Sequence, residues 1–178
     1  MVALADAIDD GRIPNAEIGI VISDQPYAKG LRIAHERGLK TLVIERGSRK
    51  REEHDREIVS VLREERIDLI CLAGYMRILS PFFVDAFKDR ILNIHPSLLP
   101  LFPGLDPQRQ ALAHGANASG CTVHFVDNTL DGGPIIAQRT VPVLEDDTVD
   151  TLSARILEQE HILYPEAVAT VLSGFKVK

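Results

Sequence analysis

The spacing of apolar residues in the first half of the chain alternates several times between a strand pattern and a helix pattern. Residues 16–24 form a short apolar run that ends in turn formers, and residues 25–38 carry an apolar stripe at helical spacing that ends at Gly38. The succession repeats, with a strand at 39–47, an amphipathic helix at 50–66, and strands at 67–75 and 91–95. Near-continuous apolar strands are typical of parallel sheets covered by helices on both faces. The pattern therefore predicts an α/β fold with a mostly parallel sheet flanked by helices.

The second half of the chain changes character after Pro103. A helix is predicted at 107–115, followed by apolar runs at 120–126 and 133–143 that flank a turn-rich loop and indicate an antiparallel strand pair. Residues 146–174 have a long helical pattern, with Thr148 or Asp147 as the expected N-cap. Because proline lacks a backbone N–H, Pro165 is expected to break or restart this helix.

Composition and charge narrow the class of protein. The 178 residues, 45% hydrophobic and 26% charged, suffice for one soluble domain, taken as 1–178. A net charge of −6 argues against nucleic-acid binding, and the short basic cluster at 45–52 is interpreted as a solvated loop and helix start. No apolar stretch has the length of a membrane helix, so we expect a cytoplasmic protein. Cys71 and Cys121 stand in apolar surroundings and are expected to be buried thiols of a reducing compartment.

Two polar residues end the strand at 91–95. Asn93 and His95 are two positions apart, so their side chains should project from one face at the strand's carboxyl end, where open parallel sheets bind ligands. An amide donor beside an imidazole suits a reaction that turns a carbonyl oxygen into an oxyanion. For the pair alone, the simpler interpretation as satisfied polar groups that cap a turn is favoured.

Asp131 and His124 are the other candidates for chemistry. Asp131 precedes two glycines and reads as a turn residue, unless it folds back onto His95, where its carboxylate would orient the imidazole and raise its pKa. His124 is equally compatible with a supporting role and with plain burial. The remaining helix histidines His35, His54 and His114 are placed on polar faces without a role. No metal-ligand spacing, nucleophile elbow or Walker loop is present, so no metal is expected.

Five segments in this order carry a resemblance to a known family. They are CLAGYMRILS (71–80), ILNIHPSLLPLFPG (91–104), GCTVHFV (120–126), LDGGPII (130–136) and EQEHILYP (158–165). Together they resemble the folate-dependent formyltransferases, in particular those that act on glycinamide ribonucleotide, over residues 1–174. The resemblance implies a Rossmann-like fold. It also implies transfer of the formyl group of 10-formyltetrahydrofolate to the amine of glycinamide ribonucleotide in purine biosynthesis.

The resemblance also implies roles for individual residues. Asn93, His95 and Asp131 match the catalytic set, in which protonated His95 and the Asn93 amide stabilise the oxygen of a tetrahedral adduct and Asp131 keeps His95 charged. Asn93 would also contact the folate.

Binding residues follow from the same resemblance. Met76, Arg77, Ile78 and Leu79 would line the folate pocket, largely through backbone groups and apolar contact. Arg51 would pair with the glutamate tail of the folate, and Glu160 would hold the ribose hydroxyls of the ribonucleotide. Without the resemblance, residues 76–79 would be interpreted as the edge of the hydrophobic core, and Arg51 as a solvent-exposed residue at the start of a helix.

One departure from the family concerns the start of the sequence. Family members begin with a strand and a glycine-rich loop whose amides bind the substrate phosphate, whereas here residues 1–11 already read as the following helix. Loss of a central strand should expose neighbouring strand edges. If the chain starts at Met1, we expect a poorly stable protein with little or no transferase activity.

Rival functions remain. A formyltetrahydrofolate hydrolase would use the same residues and transfer the formyl group to water. The sequence LDGGPII favours instead the enzyme that acts on glycinamide ribonucleotide. A methionyl-tRNA formyltransferase would normally carry a further basic domain. A catalytically inactive fragment that still binds folate is the alternative from a different functional class. The oligomeric state is expected to be monomer or homodimer, with small-molecule partners only.

Overall fold

The computed structural model describes residues 1–174 and alternates helices and strands through its first half. The elements in chain order are α1 (Val2–Asp9), β1 (Val21–Ser23), α2 (Lys29–Glu36), β2 (Thr41–Val43), α3 (Arg51–Glu64), β3 (Ile70–Leu72), α4 (Pro81–Ala86), β4 (Ile91–His95), α5 (Pro107–Ala113), β5 (Ala118–Phe125), β6 (Ile135–Pro142) and α6 (Val149–Ser173).

The strands form two sheets. β1 pairs with β2 in parallel, and a second sheet has the order β3-β4-β5-β6, in which β3 and β4 are parallel. β5 runs antiparallel to both β4 and β6. The predicted class, a parallel α/β arrangement with an antiparallel pair late in the chain, is therefore confirmed. The first three strands are shorter than predicted, since β1, β2 and β3 have three residues each.

A cavity of about 820 Å³ separates the two sheets. It lies between β1 and β3 and is lined along both strands, by 18–24 on one side and 67–72 on the other.

Apolar packing covers both faces of the larger sheet. Ile91 and Leu92 are neighbours on β4, are both fully buried, and enter different hydrophobic clusters. Ile91 joins the cluster formed with α3 and α4, whereas Leu92 joins the one formed with α1, α5 and α6. Tyr164 of α6 also donates its hydroxyl towards the carbonyl oxygens of Leu72 and Leu92, at 2.8 and 3.1 Å. These contacts fix β4, whose carboxyl end carries the candidate site.

The long last helix corrects one prediction and confirms another. α6 continues through Pro165 without a break, so the expected interruption is wrong. The proline ring is fully buried, and Tyr164 and Ala167 beside it are buried as well, so packing outweighs the lost hydrogen bond. Thr148 is the N-cap, since its hydroxyl accepts a hydrogen bond from the Thr151 N–H at 3.2 Å.

Two features of α3 and α4 differ from the sequence analysis. His54 does not lie on a polar face: it is 1% exposed, and its Nε2–H donates to the Ile44 carbonyl at 2.6 Å. The adjacent Asp55 accepts the Ser80 N–H at 2.6 Å. Ser80 in turn caps α4, a helix too short to show a period in the sequence. Hydrogen bonding thus outweighs the cost of burying these polar side chains.

Candidate active site

The carboxyl end of β4 gathers the predicted catalytic residues. Asn93 and His95 leave the same face of this strand and lie opposite His124 and Thr122 of β5 in the antiparallel register. Asp131 belongs to the connection between β5 and β6 and adopts a left-handed conformation with φ of 50°. Its carboxylate Oδ2 lies 3.5 Å from His95 Nδ1. The acid therefore folds back onto the imidazole, which was the condition for a role in chemistry.

Backbone groups fix both members of the His95–Asp131 pair. His95 is 5% exposed, and its Nε2–H donates to the Phe102 carbonyl at 2.9 Å. With a proton held on Nε2, a second proton would occupy Nδ1 and face the carboxylate. Asp131 Oδ2 accepts the Gly104 N–H at 2.8 Å. One loop, 96–106, thus orients the imidazole through Phe102 and the carboxylate through Gly104.

His124 orients the amide of Asn93. The ring is 2% exposed, and burial lowers the pKa of His124, which favours the neutral form. Its Nδ1–H donates to the Phe125 carbonyl at 2.8 Å, so Nε2 is left to accept a hydrogen bond from Asn93 Nδ2 at 3.2 Å. An amide nitrogen has two hydrogens, so one remains for a ligand. The structure thus places His124 in direct support of Asn93.

Sequence reasoning missed the groups that hold loop 96–106. Thr122 is fully buried on β5; its hydroxyl donates to the Ser97 carbonyl at 2.7 Å and accepts the Leu99 N–H at 3.0 Å. Gln138 Nε2 donates to the same hydroxyl oxygen at 2.9 Å. The alternation of side chains along β5 could have identified Thr122, because this residue precedes His124 by two positions and therefore shares its face of the strand. The Phe102 and Gly104 contacts are made by backbone atoms and have no side-chain signal.

Replacing Thr122 with valine should lower the free energy of unfolding by about 1–3 kcal/mol, because the buried Ser97 and Leu99 backbone groups and the Gln138 amide lose their hydrogen bonds while the side-chain shape is kept. Urea denaturation measures this loss. Ser119→Ala is a matched control, since Ser119 lies on the same strand, is 1% exposed, and its hydroxyl has no partner among residues 1–174. An equal loss in both variants would contradict the role of the Thr122 network.

A small pocket of about 280 Å³ contains most of the predicted folate residues. Its lining residues are Arg46, Arg51, His54, Asp55, Tyr75, Met76, Arg77 and Ile78. Arg77 Nε is paired with Asp24 Oδ2 at 2.8 Å, whereas Met76 is 78% exposed at the rim. Leu79 does not line this pocket, because it packs into the core with Ile58 and Phe83. The predicted segment 76–79 therefore divides into three pocket residues and one core residue.

Glu160 lies near the amino group of Met1 and the thiol of Cys121, and burial raises the pKa of Glu160 to about 7. Burial also raises the pKa of Cys71 and of Cys121 to about 12, so both thiols are protonated and unreactive at neutral pH.

The raised pKa of Glu160 predicts a pH dependence of stability. The folded protein holds a proton that the unfolded chain releases near pH 4.5, so the free energy of unfolding should fall as the pH rises from 4.5 to about 7. Glu160→Gln should reduce this fall in urea denaturation at about pH 5 and about pH 8, whereas Glu158→Gln, on an exposed position of the same helix, should not. A fall of unchanged size in Glu160→Gln would refute the assignment.

Within residues 1–174 there is no cluster of three or more histidine, cysteine or carboxylate side chains that could hold a metal ion. Over the same residues, no helix has the length and apolar character needed to cross a membrane.

The fold and the site together define a class of protein. A Rossmann-like α/β sheet bears an amide, an imidazole and a carboxylate at the carboxyl end of one strand, which is where open α/β sheets bind ligands. The model of the formyl transferase family matches residues 1–168. The chain belongs to the formyl transferase family.

Relatives at high identity support this assignment. The chain is 42% identical over 173 residues to phosphoribosylglycinamide formyltransferase of Escherichia coli, covering 97% of this chain and 81% of the relative. It is 47% identical over 174 residues to the trifunctional purine biosynthetic protein adenosine-3 of Drosophila melanogaster, covering 97% of this chain but spanning only 13% of that relative. Glycinamide ribonucleotide transformylase 1 of Symbiobacterium toebii has a similar structure, with a TM-score of 0.93, 47% identity, and coverage of 99% of this chain and 84% of that one. These relatives confirm the Rossmann-like formyltransferase fold.

Proposed function

We propose that the chain transfers the formyl group of 10-formyltetrahydrofolate to the amine of glycinamide ribonucleotide in purine biosynthesis. The observation that carries the proposal is the convergence of Asn93, His95 and Asp131 at the end of β4, with Asp131 Oδ2 3.5 Å from His95 Nδ1. The choice of acceptor is supported by the Escherichia coli relative, a phosphoribosylglycinamide formyltransferase, and by the Symbiobacterium toebii relative, a glycinamide ribonucleotide transformylase.

The residues divide the chemistry between them. The neutral amine attacks the formyl carbon, and the free N–H of Asn93 donates to the oxygen that becomes negative, while the positive charge of the protonated His95 imidazole stabilises that oxygen electrostatically. Asp131 stabilises the charge on His95 across the 3.5 Å gap. The bond from the carbon to the folate nitrogen then breaks, and the proton lost by the attacking amine passes through water to that nitrogen. Neutral His124 holds the Asn93 amide and takes no proton.

The pocket lined by Arg46, Arg51 and Arg77 is suited to the folate. Arg77 Nη1 is buried and has no hydrogen-bond partner among residues 1–174, so it can donate to a ligand oxygen. Arg51 begins α3 at the pocket and would pair with the glutamate tail. Met76 and Ile78 would supply apolar contact at the rim, and Asn93 would contact the formyl end. Glu160 would accept the ribose hydroxyls of the ribonucleotide.

The same proposal covers partners and location. The net charge of −6 favours small-molecule substrates over nucleic acid, and the protein would act in the cytoplasm as a monomer or homodimer, without a metal.

The test is to incubate the full-length protein with 10-formyltetrahydrofolate, with and without glycinamide ribonucleotide, while the absorbance of the folate is followed. Turnover only with the ribonucleotide is expected. Equal turnover without it would replace the proposal with a formyltetrahydrofolate hydrolase. Folate binding without any turnover would replace it with a silent binding protein.

A further inference from the structure

The end of loop 96–106, which orients His95 and Asp131, has a strained backbone. Phe102, Gly104 and Asp106 have positive φ angles of 56°, 78° and 52°, so every second residue of this stretch is left-handed. Glycine adopts this conformation freely, whereas a residue with a Cβ is strained in it. Such a backbone persists only where surrounding groups hold it in place.

The side chain of Gln110 on α5 holds this stretch. Its Nε2 donates to the Pro103 carbonyl at 3.1 Å and to the Leu105 carbonyl at 2.8 Å. Both hydrogens of the amide nitrogen are used, and both partners are acceptors, so the orientation of the amide is fixed. These two hydrogen bonds form the Gln110 clamp, and they lie on either side of Gly104.

The peptide group between Pro103 and Gly104 connects the clamp to the candidate active site. Its carbonyl oxygen, on Pro103, accepts from Gln110, and its N–H, on Gly104, donates to Asp131 Oδ2 at 2.8 Å. Because a peptide group is planar, fixing its oxygen also fixes the direction of its N–H. The same Asp131 oxygen lies 3.5 Å from His95 Nδ1. The clamp therefore acts on the carboxylate that faces the imidazole.

The part of the loop that orients His95 has a support of its own. The Phe102 carbonyl accepts from His95 Nε2, and the Phe102 ring packs against the ring of His114, with 5.5 Å between the centroids. Loss of the Gln110 clamp would therefore release the Asp131 side of the pair first.

We propose that Gln110 is a positioning residue for formyl transfer, which holds the Asp131 carboxylate beside His95 through its grip on the loop. The inference rests on the proposed function, since it assigns Gln110 a part in that reaction. The effect of Gln110 on the reaction passes through Gly104 and Asp131. Its loss should therefore lower kcat and leave the KM values of both substrates nearly unchanged.

Two substitutions remove the donors of the clamp. Gln110→Met keeps about the same side-chain length without a donor, and Gln110→Glu keeps the shape but offers only acceptors. Each should lower kcat about tenfold, with both KM values within about twofold of normal. Gln108→Met is the matched control, because Gln108 lies on the same helix but projects roughly 200° away around its axis. Its kcat should be normal, and circular dichroism checks that all three variants fold.

The same substitution in Asp131→Asn separates positioning from a merely structural role. That variant has no carboxylate charge left to place, so adding Gln110→Met should lower its kcat by less than about twofold. A structural role alone would give the same factor in both backgrounds.

Amide hydrogen exchange at Gly104 tests the clamp without turnover. Exchange should be faster in Gln110→Met than in the unmutated protein and unchanged in Gln108→Met, because only the first releases the peptide that points at Asp131. Absence of turnover in the unmutated protein would refute the proposed function, and exchange at Gly104 would then still decide whether Gln110 positions the loop.

Three results would each overturn the inference. These are a normal kcat in either folded Gln110 variant, an equal loss of kcat with and without Asp131→Asn, and unchanged exchange at Gly104 in Gln110→Met.

Discussion

Replacing His95 with alanine should lower the rate of formyl transfer by about 10²- to 10⁴-fold, the usual loss when a general acid–base group is removed. The imidazole is the proton-exchanging group closest to Asp131, and its Nε2 is already fixed by Phe102. No other side chain of the site can take over, because burial favours the neutral form of His124 and its Nδ1–H is held by Phe125. Rates of folate turnover with the ribonucleotide measure the loss.

His35→Ala is the control for this substitution. It also removes an imidazole, but from an exposed position on α2 away from the site, so its rate should stay normal. Circular dichroism should show that both variants keep the fold. Near-normal turnover in folded His95→Ala would refute the catalytic role of His95.

Replacing Asp131 with asparagine should lower the rate at least about 100-fold, because the variant keeps the size of the side chain and an oxygen for the Gly104 N–H but loses the charge beside His95. The loss therefore reports electrostatic stabilisation of the imidazolium more than loop structure. The measurement is again turnover of 10-formyltetrahydrofolate with the ribonucleotide.

Asp127→Asn is its matched control, since Asp127 lies in the same connection between β5 and β6 but bonds to Thr129 instead of His95. Its activity should be unchanged. If Asp127→Asn lost as much activity as Asp131→Asn, the effect would belong to the loop and the charge argument would be wrong.

Side-chain alternation predicted the position of Asn93 and His95 correctly, since a strand has only two faces and both residues fall on one of them. The approach of Asp131 was only a conditional prediction, because no local period reports which loop packs against a strand end. The left-handed backbone of Asp131 and its bond to Gly104 set that approach.

Tertiary packing explains the remaining differences from the sequence analysis. Pro165 reads as a helix breaker, yet burial of its ring carries α6 through it. His54 stands among charged residues in the sequence, yet its hydrogen bond to Ile44 places it in the core. Leu79 belongs to the family segment for the folate pocket, yet it packs against Phe83 because α4, which the sequence did not reveal, begins beside it. The hydrophobic period of a segment shows which of its residues form an apolar face, but it does not show which tertiary neighbours pack against that segment. The outcomes for Pro165, His54 and Leu79 depend on those neighbours.

The rate of 10-formyltetrahydrofolate consumption, measured with and without glycinamide ribonucleotide in the unmutated protein and in His95→Ala, tests the central claim most directly. We expect consumption only when the ribonucleotide is present, one formylated ribonucleotide for each folate consumed, and loss of both in His95→Ala. Consumption without the ribonucleotide, or formylation that persists in His95→Ala, would contradict formyl transfer at the end of β4.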